Sequence, residues 1–157
     1  MSKISGYIKI LFFALSFFVL TMSCKKSSTA VDYNIAAKSN IVMDGSQEVP
    51  AKTTSATGST DVSYNKTTKV LTYTIRWNGL TGNPTGMHFH SPCLRGSNAS
   101  VIVPITGYAA APSGSISGSV TLDGVTQKED ELLGGKWYSN IHTAMNPGGE
   151  IRGQIEF

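Results

Sequence analysis

Charge, cysteine and histidine are all scarce in this chain of 157 residues. Only 15% of its residues are Asp, Glu, Lys or Arg, too few to build a basic stripe or an acidic tail. Lys3 and Lys9 are the only charged side chains among residues 1–23, and without that segment eleven basic residues face ten acidic ones, a net charge of +1. Such a balance excludes the phosphate-neutralising surface that nucleic-acid binding requires. Neither a Gly-x-Ser-x-Gly elbow nor a phosphate-cradling glycine loop is present, which removes two common catalytic constellations. No apolar run approaches the roughly 20 residues of a membrane-spanning helix. The two cysteines, Cys24 and Cys93, allow one disulfide at most, so a hydrophobic core must hold the fold.

What is present begins with a targeting signal. Lys3 and Lys9 precede Ile10–Leu20, an apolar run broken only by Ser16, with the length and positive flank of a signal-peptide core. Small Ser23 then precedes Cys24, and a Lys-Lys-Ser-Ser-Thr-Ala tract follows. This arrangement resembles a bacterial lipoprotein signal, although Thr21 and Met22 depart from its usual residues. The expectation is a cleaved signal peptide at 1–23, a lipidated Cys24 with a linker at 24–32, and one folded domain at 33–157. Acyl chains on Cys24 would tether the domain to a membrane of the cell envelope, on its periplasmic or outer-membrane face. The alternative is a secreted soluble protein. With Cys24 lipidated, Cys93 has no partner and is either a buried small apolar group or a free thiol.

From residue 33 onward Gly, Ser and Thr abound and turn signals recur every 8 to 12 residues, the profile of an all-β sandwich or barrel with antiparallel strands. Val70–Trp77 is the clearest strand, with Leu71, Tyr73, Ile75 and Trp77 on one face. Gly58–Tyr64 reads as its hairpin partner across an Asn65–Thr68 turn. Further strands are expected at 34–43, 86–90, 100–106, 116–122, 136–143 and 150–157. Thr126 and Glu129 have capping-box spacing, so one short helical turn is expected over 127–133. Trp77 and Trp137 fall on core faces.

The chain has three histidines, His88, His90 and His142. Alternation puts His88 and His90 on one face of a strand, with Met87 and Phe89 towards the core. In the strand at 136–143, Ile141 suits the core and Tyr138, Asn140 and His142 share the other face. Ile151 and Ile155 then leave Glu150, Arg152 and Gln154 beside His142 on a polar sheet face. A His-x-His pair plus a third histidine has the donor set for a single zinc or copper ion with an open coordination position. Glu48, Glu150, Arg152 and Asn140 are the residues that would add an oxygen ligand or fix a ring by hydrogen bonding. On spacing alone the commoner role stands ahead: a surface or hydrogen-bonded structural pair. Arg152 beside Glu150 reads first as a surface salt bridge.

Several segments together resemble the CHRD (chordin) domain. They are Gly45-Ser46-Gln47-Glu48-Val49-Pro50, Ala56-Thr57-Gly58, Leu71-Thr72-Tyr73 to Gly79-Leu80, Gly86-Met87-His88-Phe89-His90, Tyr138-Ser139-Asn140-Ile141-His142-Thr143 and Gly149-Glu150-Ile151-Arg152-Gly153-Gln154. The turn His90-Ser91-Pro92 departs mildly from the family's His-Gly-Pro, and Cys93-Leu94-Arg95 is a local insert. The resemblance implies an all-β, sandwich-like exported domain and brings no established reaction. The leading expectation is therefore a membrane-tethered binding module for an unknown protein or glycan ligand, without catalysis. A single-metal protein using His88, His90 and His142 is the alternative, and a purely structural polar cluster is the second alternative.

Overall fold

The computed structural model describes residues 33–157. The expected signal peptide, Cys24 and the linker lie outside the described residues. Eight strands follow one another: β1 (Ile35–Asp44), β2 (Thr57–Asn65), β3 (Val70–Asn78), β4 (Pro84–His90), β5 (Val101–Pro104), β6 (Gly114–Thr121), β7 (Trp137–Thr143) and β8 (Ile151–Ile155). A 3-10 turn at Gly45–Gln47 and one short helix, α1 (Glu129–Leu133), complete the described elements. All strand pairs are antiparallel, in the order β5-β4-β7-β8-β1-β2-β3-β6. The all-β, sandwich-like fold expected from alternation is the fold observed.

The sheet folds over on itself. Between β1 and β8 a single registered pair, Asp44 opposite Arg152, forms the seam. On either side of it the halves β5-β4-β7-β8 and β1-β2-β3-β6 bring their apolar faces together. In β3, Leu71, Ile75 and Trp77 are buried, as period-two alternation requires. Tyr73, on the same face, meets Phe89 of β4 edge-on at 5.1 Å between ring centroids. Met87, Trp137, Ile141, Ile151 and Ile155 fill the core from the other half. Polar contacts from Ser139 cross it, a 2.8 Å hydrogen bond between the hydroxyls of Thr60 and Ser139 and a bond from Ser139 to the Met43 sulfur at 3.7 Å.

Two local expectations are corrected. The helix starts at Glu129, later than 127, and its N-cap Lys128 makes no side-chain capping bond. Asp123 organises the turn instead: its Oδ1 accepts from Val125, Thr126 and Gln127 N–H at 2.8–2.9 Å, and its carboxylate also engages the Thr126 side chain. A carboxylate is a strong acceptor, and a turn two to four residues long forms around it.

Glu150 is the second correction, because it does not share a face with His142. Gly149 adopts φ +120°, a conformation that L side chains rarely adopt, and the turn reverses alternation before β8 begins. The Glu150 carboxylate therefore lies on the side of Thr143, fully buried. There it accepts from the hydroxyls of Thr54 (2.8 Å), Thr81 (2.7 Å) and Thr143 (2.7 Å), and from the Thr81 amide (3.0 Å). Burial raises its proton affinity, but the bonds from Thr143, Thr81 and Thr54 outweigh that and hold the carboxyl below its ordinary range. It ties the 54 and 81 loops to the β7–β8 turn.

Replacing this ion by an amide of the same shape, Glu150→Gln, sets an NH₂ against donors that can no longer all be satisfied. The variant should lose roughly 1–3 kcal/mol of stability, read as a lower urea midpoint at pH 7 with an unchanged m-value.

Candidate metal centre

Pairing of β4 with β7 assembles the histidines. His88 stands opposite Asn140, Gly86 opposite His142 and His90 opposite Tyr138. Alternation turns all of these side chains away from Met87, Phe89 and Ile141, whose packing fixes the register. One ring nitrogen of each of His88, His90 and His142 lies within 4.8 Å of the other two. His88 Nδ1 and His142 Nε2 are 3.1 Å apart. Two ligands held at 2.0–2.1 Å in tetrahedral geometry are separated by about 3.3 Å, close to this distance. Gly86 makes the arrangement possible, since a β-carbon there would stand 2.9 Å from His88 Cε1 and 3.5 Å from His142 Cδ2.

Two backbone carbonyls decide which nitrogens of His90 and His142 face inward. His90 Nδ1 lies 2.9 Å from the Ala99 carbonyl and His142 Nδ1 lies 2.9 Å from the Pro147 carbonyl. A carbonyl only accepts, so both Nδ1 atoms carry protons and both Nε2 atoms present lone pairs when the rings are neutral. Those two Nε2 atoms sit 3.0 and 3.1 Å from the same acceptor, Asn140 Oδ1. The amide of Asn140 is turned this way by the Glu48 carboxyl, to which its NH₂ donates. A proton from His88 Nδ1 satisfies His142 Nε2, leaving His90 Nε2 and Asn140 Oδ1 as facing acceptors. A cation coordinated by the three rings relieves that contact.

Protonation is the competing source of positive charge, and the site resists it. Burial, with the neighbouring His142 and His90, pushes His88 down to about 4. Burial also lowers His90, against its bonds to Ala99 and Asn140, which act in the opposite sense. His88 and His90 are thus held towards the neutral form, in which a metal takes an imidazole.

The face is less open than alternation alone implied. His90 is buried, and His88 and His142 are half-buried, because the loop at 91–100 closes over β4 and β7. Arg152 secures that loop. It was expected on the surface beside Glu150, but only 1% of it is exposed. Its guanidinium donates to Ser97 O (2.8 Å) and Gln154 Oε1 (2.9 Å) and lies 3.5 Å from the centroid of the Tyr138 ring. Tyr138 in turn stacks flat on His90, with 4.6 Å between centroids. Arg152 and Asn140 thus support the histidines, Glu48 acts through Asn140, and Glu150 takes no part. Tyr138, Gly86 and the Ala99 and Pro147 carbonyls complete the set. Alternation placed Tyr138 on the correct face, but no sequence signal marks a backbone carbonyl as a histidine partner. Cys93 is half-buried, and its thiol donates to Ser97 O at 3.1 Å.

The family model described as the CHRD domain matches residues 39–155, the described sheet almost end to end. No curated protein and no solved structure matches the chain.

Glu48 is 4% exposed, and burial pushes its carboxyl up to about 7, against the lowering influence of Arg152, Asn140 and Lys52. Its folded pKa exceeds its unfolded one, so between about pH 4.5 and 7 the folded chain holds more of this proton, and Glu48 costs stability as pH rises through that window. His88 and His90, with lowered values, act in the opposite sense, so the Glu48 contribution is read as a difference between proteins. Metal-free Glu48→Gln should match the parent near pH 4.5 and exceed it by roughly 1–3 kcal/mol at pH 8. Thermal melts across that range measure it, and parallel curves would refute the assignment.

Proposed function

Since the chain belongs to the CHRD-domain family, we propose that it is a binding module of the cell envelope whose described ligand site takes a single zinc or copper ion. The convergence of three imidazoles, with donor atoms within 4.8 Å of one another, carries this reading. Neutral nitrogen donors suit zinc and copper, and three of them leave a coordination position for water or a partner's side chain. Two backbone carbonyls fix the Nδ1–H tautomers of His90 and His142, the kind of outer support that metal-ligating histidines ordinarily have. Nothing in the family likeness supplies a reaction, and no nucleophile with an adjacent base stands at the site. Binding, without turnover, is the activity this arrangement supports.

The structural alternative makes the opposite prediction for the same residues. Purified full-length protein, dialysed against zinc or copper and then against buffer, should retain about one ion per chain by elemental analysis. The His88→Ala, His90→Ala double variant should retain none, and Asn140→Ala should bind about tenfold to a hundredfold more weakly. Equal, negligible metal in parent and double variant would leave the histidines a purely structural role.

Tethering rests on Cys24 and its flanks. Growth with labelled palmitate should label the parent chain in the membrane fraction, whereas Cys24→Ser should be unlabelled. Label retained by Cys24→Ser would defeat the lipid-anchor reading.

A further inference from the structure

A second recess lies beside the histidine face, on the far side of the Tyr138 ring. It is a cavity of about 210 Å³, with Gln47, Glu48, Val49, Arg95, Arg152 and Gln154 in its wall. We propose that this cavity binds a small monocarboxylate, with Arg152 as the principal charge partner.

Arg152 carries an unbalanced charge. Arg152 is 1% exposed, yet none of the ion pairs among the described residues includes it. Its terminal nitrogens donate to Ser97 O, Asn98 Oδ1, Gln154 Oε1 and Cys93 Sγ, all uncharged acceptors. Its Nε–H donates to no described group. A buried cation without a counter-ion is costly, and an anion entering the cavity would relieve that cost. The nearest acid does not do so. Glu48 is close enough to feel the charge of Arg152 but makes no ion pair with it, and its buried Oε1 has no hydrogen-bond partner.

Those two groups define the ligand. One fixed positive charge calls for one negative charge, and the planar guanidinium matches a carboxylate. Glu48, whose buried carboxyl packs against Gly149, gives the anion no donor, so a second negative charge on the ligand would go uncompensated. Arg95 stands at the rim, half-exposed and held by Glu156 at 2.9–3.0 Å, so it adds attraction at the mouth without closing it. The volume equals that of roughly seven liquid waters, room for a compact organic acid and too little for a peptide or an oligosaccharide. The cavity needs no metal, so this assignment stands or falls separately from the metal centre.

The test follows the Arg152 side chain directly. Full-length ¹⁵N-labelled protein in detergent is titrated with sodium acetate, lactate or glucuronate at constant ionic strength, with chloride and inorganic phosphate as comparisons. The Arg152 Nε–H resonance and the Gln47 and Gly96 amides should shift saturably with at least one carboxylate. The exposed variant Arg95→Gln, which leaves Arg152 in place, should weaken that binding about threefold or more. Shifts that fail to saturate, that chloride reproduces, or that leave Arg152 Nε–H unmoved would overturn the proposal. Phosphate binding as tight as the best carboxylate would overturn the ligand class.

Discussion

The Arg152 guanidinium is the contact on which the geometry of the polar face depends. It lies between the Tyr138 ring and the loop at 93–98, and it binds that loop through the Ser97 carbonyl. Two residues further along the loop, Ala99 O fixes the proton of His90, while Tyr138 supports the His90 ring from below. One planar cation thus orders a loop, an aromatic ring and an imidazole together. Lysine would not serve in its place, because an ammonium offers neither the flat stacking surface nor the fixed fork of donors. The same burial leaves its charge without an acidic partner, and the adjoining cavity acquires its character from that imbalance.

Two buried glutamates show how surroundings decide chemistry. Glu150 meets three threonine hydroxyls and an amide and stays ionised, so it acts as a structural latch between loops. Glu48 has the Asn140 amide for one oxygen and nothing for the other, so desolvation prevails and its proton is held near neutrality. Asn140 joins Glu48 to the histidines. Its NH₂ faces the carboxyl and its Oδ1 faces two imidazole nitrogens, so one amide spans both groups.

Much of this was legible in the residues. Alternation in Val70–Trp77 and around Met87, Phe89 and Ile141 sorted core from polar face, because a strand's period of two admits no other assignment once one face is apolar. The same rule misplaced Glu150, since a glycine at φ +120° interrupts the period between β7 and β8. It also took the polar face as open, since alternation says nothing of a loop that lies across a sheet. The capping-box spacing at Thr126 and Glu129 failed for a related reason: Asp123, just upstream, gathers the amides of 125–127 and engages the Thr126 side chain.

By itself, the sequence determined the all-β class, the inward residues, the family and the shared face of His88 and His90, all consequences of local alternation and short motifs. Tertiary structure alone decided that β4 lies beside β7, so that His142 joins the pair, and that Arg152 is buried under a loop rather than paired with Glu150. Strand order and loop docking depend on contacts between residues some fifty positions apart in the chain, such as His88 with Asn140. No local pattern encodes those; they follow from how the whole sheet closes around its core.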